Sequence, residues 1–355
     1  MAMKPSLLAP LASLKFTLTN LLLLLVASVA VARESLPPTW ALALPFALLA
    51  VNLVAAIACN ARLRGSPALL TFHLALLAML LLAAVGRLTY LDGWVEITEG
   101  TRFSGELSGY DAGPWHPWGL DRLDLVSRHF DLDYLPNPGA SYAKLGEVRS
   151  RFVWRVADGR RFEGEIRMNE PLVIDHYRFY VAPTNKGFAP VLTWEARVSG
   201  QTPETTHVHL PRLPDLRHAQ ATEWHPPGSN RKLWIALDHE SEFLPAEHGG
   251  DFRAPADHHL VVRDGGQRAE LRPGDRLAFE DGVLHYQGLN RWLGYTVRWD
   301  ITTFWILAAG VLAVLSLAWF LVERVMRSPW RTAEPGRSTS PVPDRGAAQL
   351  HVSAR

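Results

Sequence analysis

Residues 301–322 read ITTFWILAAGVLAVLSLAWFLV, an apolar run without a single charged side chain. At 1.5 Å of helical rise per residue, roughly 20 such residues cross a hydrocarbon layer about 30 Å thick, so the run has the length and composition of a membrane-spanning helix. Three further stretches of this kind lie near the other end of the chain, at about 16–33, 40–59 and 68–87. Between Phe16 and Pro67 the only charged residues are Arg33, Glu34, Arg62 and Arg64, whereas charges run throughout Tyr90–Asp300. The chain therefore divides into residues 1–89 with three spans, a charged middle domain over 90–300, a fourth span over 301–323 and a tail over 324–355.

The first span ends in Ala30-Val31-Ala32, which also suits a signal peptidase. Its apolar stretch is longer than a signal core and three more spans follow, so it is expected to be retained. Lys4, Lys15, Arg62, Arg64, Arg324, Arg327 and Arg331 share one side of the membrane if the N-terminus is inside, against Arg33 and Arg87 on the other. Cations in short loops face the cytoplasm, so the middle domain is expected on the extracytoplasmic face of the inner membrane. Pro45 and Asn52 within the second span read as a kink and an interhelical hydrogen bond. The Pro-, Gly-, Ser- and Arg-rich tail reads as a disordered cytoplasmic end.

A balance of 36 Lys and Arg against 35 Asp and Glu leaves no electrostatic footprint for nucleic acid. With Cys59 the only cysteine, no intrachain disulfide can form, and the middle domain must fold on its hydrophobic core. Short alternating runs, such as Phe152–Val156, Leu172–Ile174 and Val191–Trp194, are separated by turn pairs such as Asp158-Gly159 and Asp281-Gly282. That pattern predicts an antiparallel β sandwich or barrel, with one short helix over Leu120–Phe130.

No phosphate loop, dinucleotide fingerprint, nucleophile elbow or HExxH is present, so the chain is not expected to carry a complete active site of its own. Twelve of the 14 histidines lie between His116 and His285. The pairs His207/His209 and His258/His259 have no carboxylate or cysteine at a ligand spacing, so they are expected to be solvated loop histidines rather than metal ligands. Trp115-His116-Pro117-Trp118 reads first as a packed turn, and alternatively as a surface for a planar ligand or the membrane interface.

His73 is the only ionisable residue within ALLTFHLALLAMLLLAAVG, residues 68–86. Its helical neighbours Leu69, Leu70, Leu76 and Leu77 are apolar, so the ring's partner is expected from outside its own helix. Two readings stand level: a functional group facing a ligand or relay, and a neutral imidazole bonded to a backbone carbonyl or to Asn52. Five residues from Ala68 place it roughly 7 to 8 Å inside the inner boundary. A neutral imidazole there suits an axial position on haem iron.

Several segments, in order, resemble the ResB (CcsB) family of System II cytochrome c biogenesis. They are Leu14-Lys15-Phe16-Thr17-Leu18 with its Leu run, Asn52–Cys59, GRLTYLDGWVEITEG at 86–100, IRMNEPLVIDHYRFY at 166–180, HYQGLNR at 285–291 and Arg327–Trp330. The arrangement of three spans, an outer domain and a last span is similar as well, the chain being a short member. The resemblance implies a subunit of a holocytochrome c synthase that works with a CcsA-type membrane partner to carry haem b to apocytochrome c at a CxxCH motif. It implies His73 as a haem axial ligand, and structural roles for Asn169, Pro171, Leu172 and Tyr180. Reduced cytochrome thiols must then come from a separate thioredoxin-like protein, since the outer domain has no cysteine. The competing function is a membrane-anchored scaffold whose outer domain binds a partner protein without handling haem.

Overall fold

A computed structural model describes residues 8–141, 143–156, 158–197, 202–213, 220–239 and 247–327. Lys4, Arg331 and the tail from 328 onward lie outside the described residues. Among the described residues, four helices are long and apolar enough to cross a membrane: α1 (Leu14–Ala32), α2 (Pro38–Cys59), α4 (Pro67–Thr89) and α5 (Thr302–Arg327). A one-turn helix, α3 (Ala61–Gly65), links α2 to α4.

Local chemistry explains where these helices begin. Pro38 and Pro67 stand at first-turn positions, where a missing N–H costs nothing. Ser13 Oγ accepts from Phe16 N at 3.2 Å and Asn60 Oδ1 from Arg62 N at 3.0 Å, each occupying an otherwise orphaned donor. The principal helix contacts run α1 to α2, α2 to α4 and α4 to α5. Asn52 ties α2 to the start of the chain: it accepts from Thr17 Oγ1 at 2.9 Å and donates to Leu11 O at 2.5 Å. The contact of α4 with α5 is close because Gly86 has no side chain; a Cβ there would lie 2.7 Å from Thr302 Oγ1.

Between α4 and α5 the chain forms an entirely antiparallel β domain. One sheet runs β2 (Gly109–Ala112), β1 (Leu91–Thr98), β15 (Gly282–Trp299), β7 (Tyr177–Ala196) and β6 (Leu172–Ile174), with β14 (Arg276–Ala278) and β8 (Glu204–His207) on its flanks. A second runs β11 (Gly250–Asp251), β3 (Asp124–Leu135), β4 (Lys144–Arg155) and β5 (Arg161–Arg167), and a third β13 (Gln267–Leu271), β12 (His258–Asp264), β10 (Leu233–His239) and β9 (Ala221–Trp224).

The domain has two hydrophobic cores along one long pair of strands. Near the helices, Leu91, Phe130, Phe152, Phe179, Tyr295 and Val297 pack the first sheet on the second. Further out, Leu192, Trp194, Ile235, Leu260, Leu284 and Tyr286 pack the same strands on the third sheet. The pair β7 and β15 is continuous through both cores, roughly 60 Å long at strand rise. Because Leu91 pairs with Trp299, the first and last strands lead into α4 and α5 side by side.

One expected element is absent. Residues 120–130 do not form a helix: a three-residue 3-10 turn at Leu120–Arg122 is followed by strand β3. Its buried residues are Leu125 and Ser127, then Phe130, Leu132 and Tyr134, so the inward phase shifts by one. The cause is a bulge between Ser127 and His129, whose extra residue gives a strand the uneven apolar spacing of a short helix.

Candidate functional site

His73 sits in the second turn of α4, partly buried, with its Nδ1 2.7 Å from Leu69 O. A carbonyl oxygen only accepts, so Nδ1 carries the proton and donates it, and Nε2 keeps its lone pair. The expected partner from outside the helix is therefore corrected: it comes from one turn back on the same helix. Counting neighbouring side chains overlooks the second lone pair on the carbonyl four residues earlier. Asn52 is committed to Thr17 and Leu11. Around the ring, Phe72 lies edge-on at 5.2 Å and the partly buried Leu69, Leu70, Leu76 and Leu77 provide an apolar helix surface.

At the other end of α4, the WHPW turn closes the helix. Trp115 N donates to Leu88 O at 2.8 Å, His116 Nδ1 to Thr89 O at 2.9 Å and Gly113 N to Tyr90 O at 2.9 Å, so three carbonyls at the helix end find donors. Gly113 is required, because a Cβ would fall 2.2 Å from Leu88 O. His116 is 5% exposed, walled by Trp118, Trp299 and Tyr177 at 4.9, 5.0 and 5.9 Å between ring centres. Burial pushes its pKa below the usual histidine value, against the opposing pull of the Thr89 carbonyl. Trp115 and Trp118 remain 62% and 53% exposed where the helix ends, so the turn packs around its histidine and presents its indoles outward.

The other histidines correct the expectation of solvated loops. His209 stacks on Trp292 at 5.3 Å with Nε2 2.8 Å from Thr98 Oγ1, and burial lowers its pKa and that of His207. His258 bonds Pro255 O at 2.7 Å and meets Tyr286 edge-on, while His259 lies 3.2 Å from Asp238 and 3.8 Å from Glu270. Successive strand residues face opposite sides, so His258 and His259 cannot chelate together, and carboxylates reach His259 from neighbouring strands. Among the described residues, no three His, Cys, Asp or Glu groups converge on a metal position.

Sequence segments far apart in the chain meet in the β domain. Arg291, from HYQGLNR, is 11% exposed at its side chain and bonds Glu99, from GRLTYLDGWVEITEG, at 2.8 to 3.0 Å through Nε and Nη2. It also donates to the carbonyls of Phe252 and Phe130 and lies 4.5 Å from the centre of the Phe130 ring. This hub was missed by sequence reasoning, because Glu99 lies in the turn after β1 and nothing local sets it apart from Asp92 and Glu96 within that strand. From IRMNEPLVIDHYRFY, Asn169 takes a left-handed φ of 63° in the tight turn closed by Arg167 and Glu170. Pro171 is partly buried at the entry to β6, Leu172 lies in the inner core, and Tyr180 meets Arg298 at 5.9 Å. His73 is far along the chain from all of these and shares no contact with them among the described residues.

No curated protein matches the sequence. Among solved structures the chain is similar to a cytochrome c haem lyase CcmF, at 14% identity and a TM-score of 0.27, over 87% of this chain and 35% of that one. The chain thus spans about a third of the length of that protein. The model of the ResB-like family matches residues 66–229, from the start of α4 with His73, through the WHPW turn and the Asn169 turn, into the outer core. Over that segment the chain matches the ResB-like family.

Proposed function

We propose that this chain is the haem-handling subunit of a cytochrome c biogenesis complex, with His73 as an axial ligand to haem in passage across the membrane. The observation that carries the reading is the ring of His73: Nδ1 is held by Leu69 O, which directs the Nε2 lone pair away from the helix backbone. That arrangement is what an iron ligand needs, since the bond at one nitrogen fixes the tautomer and orientation at the other. The apolar surface of Leu69, Leu70, Leu76 and Leu77 suits a porphyrin face. The match to the ResB-like family over the segment containing His73 supports the same reading.

One histidine supplies one side of the iron. A CcsA-type membrane partner supplies the other ligand and the attachment chemistry at the CxxCH cysteines of apocytochrome c, whose thiols a thioredoxin-like protein keeps reduced. The β domain lies on the extracytoplasmic face of the inner membrane, and both termini lie in the cytoplasm. Asn169, Pro171, Leu172 and Tyr180 hold the inner part of that domain in shape. Haem content and cytochrome c maturation, measured for wild type and His73→Ala in cells expressing the partner, test the assignment; unchanged values for both would sink it.

A second reading, a membrane-anchored scaffold that does not touch haem, draws on the same bond, because an imidazole satisfied by its own helix is also stable without a ligand. It expects His73→Ala to be silent while deletion of residues 90–300 abolishes capture of the partner.

A further inference from the structure

Where the helices meet the β domain, a cavity of about 460 Å³ is bounded by α2, α4, α5 and the ends of β1 and β15. On the span side it is lined by Phe46, Ala83 and Ile306, and at the charged end by Arg87 and Arg298 together with the carboxylates Asp92 and Asp300. One apolar wall facing one charged wall at the end of the spans is the lining an amphiphile requires.

The charges are not equally engaged. Arg298 lies 3.3 Å from Asp92, and Asp300 accepts from Thr302 N and Oγ1 at 2.7 Å and from Thr303 Oγ1 at 2.9 Å, capping α5. Arg87 stands over the Tyr90 ring at 5.6 Å and pairs with no carboxylate among the described residues. The carbonyls that would otherwise draw it, those of Leu88, Thr89 and Tyr90, are occupied by the WHPW turn and Gly113. The Tyr90 hydroxyl is likewise turned away, donating to Asp111 at 2.5 Å. A guanidinium beside an apolar wall, with five donors and no anion of its own, is built to take a phosphate.

We propose that this cavity binds a membrane phospholipid, Arg87 holding its phosphate while Phe46, Ala83 and Ile306 line its acyl chains. The inference rests on the four helices as spans and not on haem handling by His73. The bound lipid fills the open wedge beside the Gly86–Thr302 contact, where α4 and α5 enter the β domain.

The full chain, purified in mild detergent without any partner, is assayed for phospholipid per chain by phosphorus content and native mass spectrometry. Wild type is expected to retain phospholipid and Arg87→Gln to retain about tenfold less, the loss of one charge-assisted pair. Arg64→Gln, in α3 at the opposite end of α4, is expected to match wild type. Ala83→Phe, which fills the apolar wall, is expected to lose the lipid as well, and it carries the test if Arg87→Gln fails to fold. Phosphatidylglycerol added back is expected to rebind to wild type only. Equal retention by wild type and both cavity variants would overturn the proposal. So would displacement of the lipid by inorganic phosphate, which would make the site one for a free anion, or by haem, which would make it one for propionates.

Discussion

Glu99 and Arg291 are 192 positions apart and form a two-pronged ion pair, 2.8 to 3.0 Å long, beside the inner core of the β domain. The pair fastens the end of β1 to β15, and Glu99 N also donates to Arg291 O at 2.9 Å. Removing one partner strands the other charge away from water, which costs on the order of 3 to 5 kcal/mol. Arg291→Ala is therefore expected to lower the thermal midpoint of the β domain sharply. The double variant Glu99→Gln/Arg291→Met is expected to be milder than the single one. Thermal unfolding of the detergent-purified chain checks this, and an unchanged midpoint for Arg291→Ala would contradict it.

His116, His207 and His209 all have pKa values pushed below the ordinary histidine value by burial. The unfolded chain then binds protons that the folded one rejects as pH falls below about 6.5. Their contribution is fully present above that pH and is lost as pH drops through the folded-state values. Stability of the β domain is expected to decline on acidification, and His116→Gln is expected to flatten part of the slope. Denaturation midpoints measured across this range test the sign; a protein more stable at pH 5 than at pH 7.5 would refute it.

Asn169 has the backbone of a left-handed turn residue. Asn169→Gly is expected to be nearly neutral, and Asn169→Val to cost about 1 to 3 kcal/mol, because a β-branched residue resists positive φ. Leu172→Ala, three residues on and buried in the inner core, is expected to cost about 2 to 5 kcal/mol. Limited proteolysis of the β domain ranks the three variants, and equal resistance would count against this turn as a determinant of the fold.

Gly86 allows α4 to touch Thr302 of α5. Gly86→Val is expected to force the two helices apart and reduce the amount of protein inserted in membranes, whereas Val85→Leu, on an exposed face, is expected to be harmless. Membrane-fraction yield distinguishes them.

Much of this architecture is written locally. Spans follow from apolar length, so four were legible without any tertiary information, and alternating runs announced an antiparallel β domain. What stayed hidden is non-local. Two cores on one strand pair depend on β7 meeting β15 almost a hundred residues later, and on bulges at Tyr286/Gly288 and Leu293/Gly294 that no alternation pattern marks. The Ser127/His129 bulge disguised a strand as a helix. The histidines were misjudged because their partners, such as Trp292 for His209 and Asp238 for His259, come from other strands. His73 itself was legible as the lone ionisable group in a span, but its Leu69 bond involves main chain, on which residue types are silent.

If His73 Nε2 ligates haem in a complex with a CcsA-type partner, the haem spectrum depends on that one side chain. The most direct measurement is the absorption spectrum of that complex purified in detergent, wild type beside His73→Ala, with partner content checked to be equal. The wild-type complex is expected to show a Soret band that is lost or shifted in His73→Ala. Identical Soret bands in the two complexes, with equal cytochrome c maturation in the source cells, would contradict it.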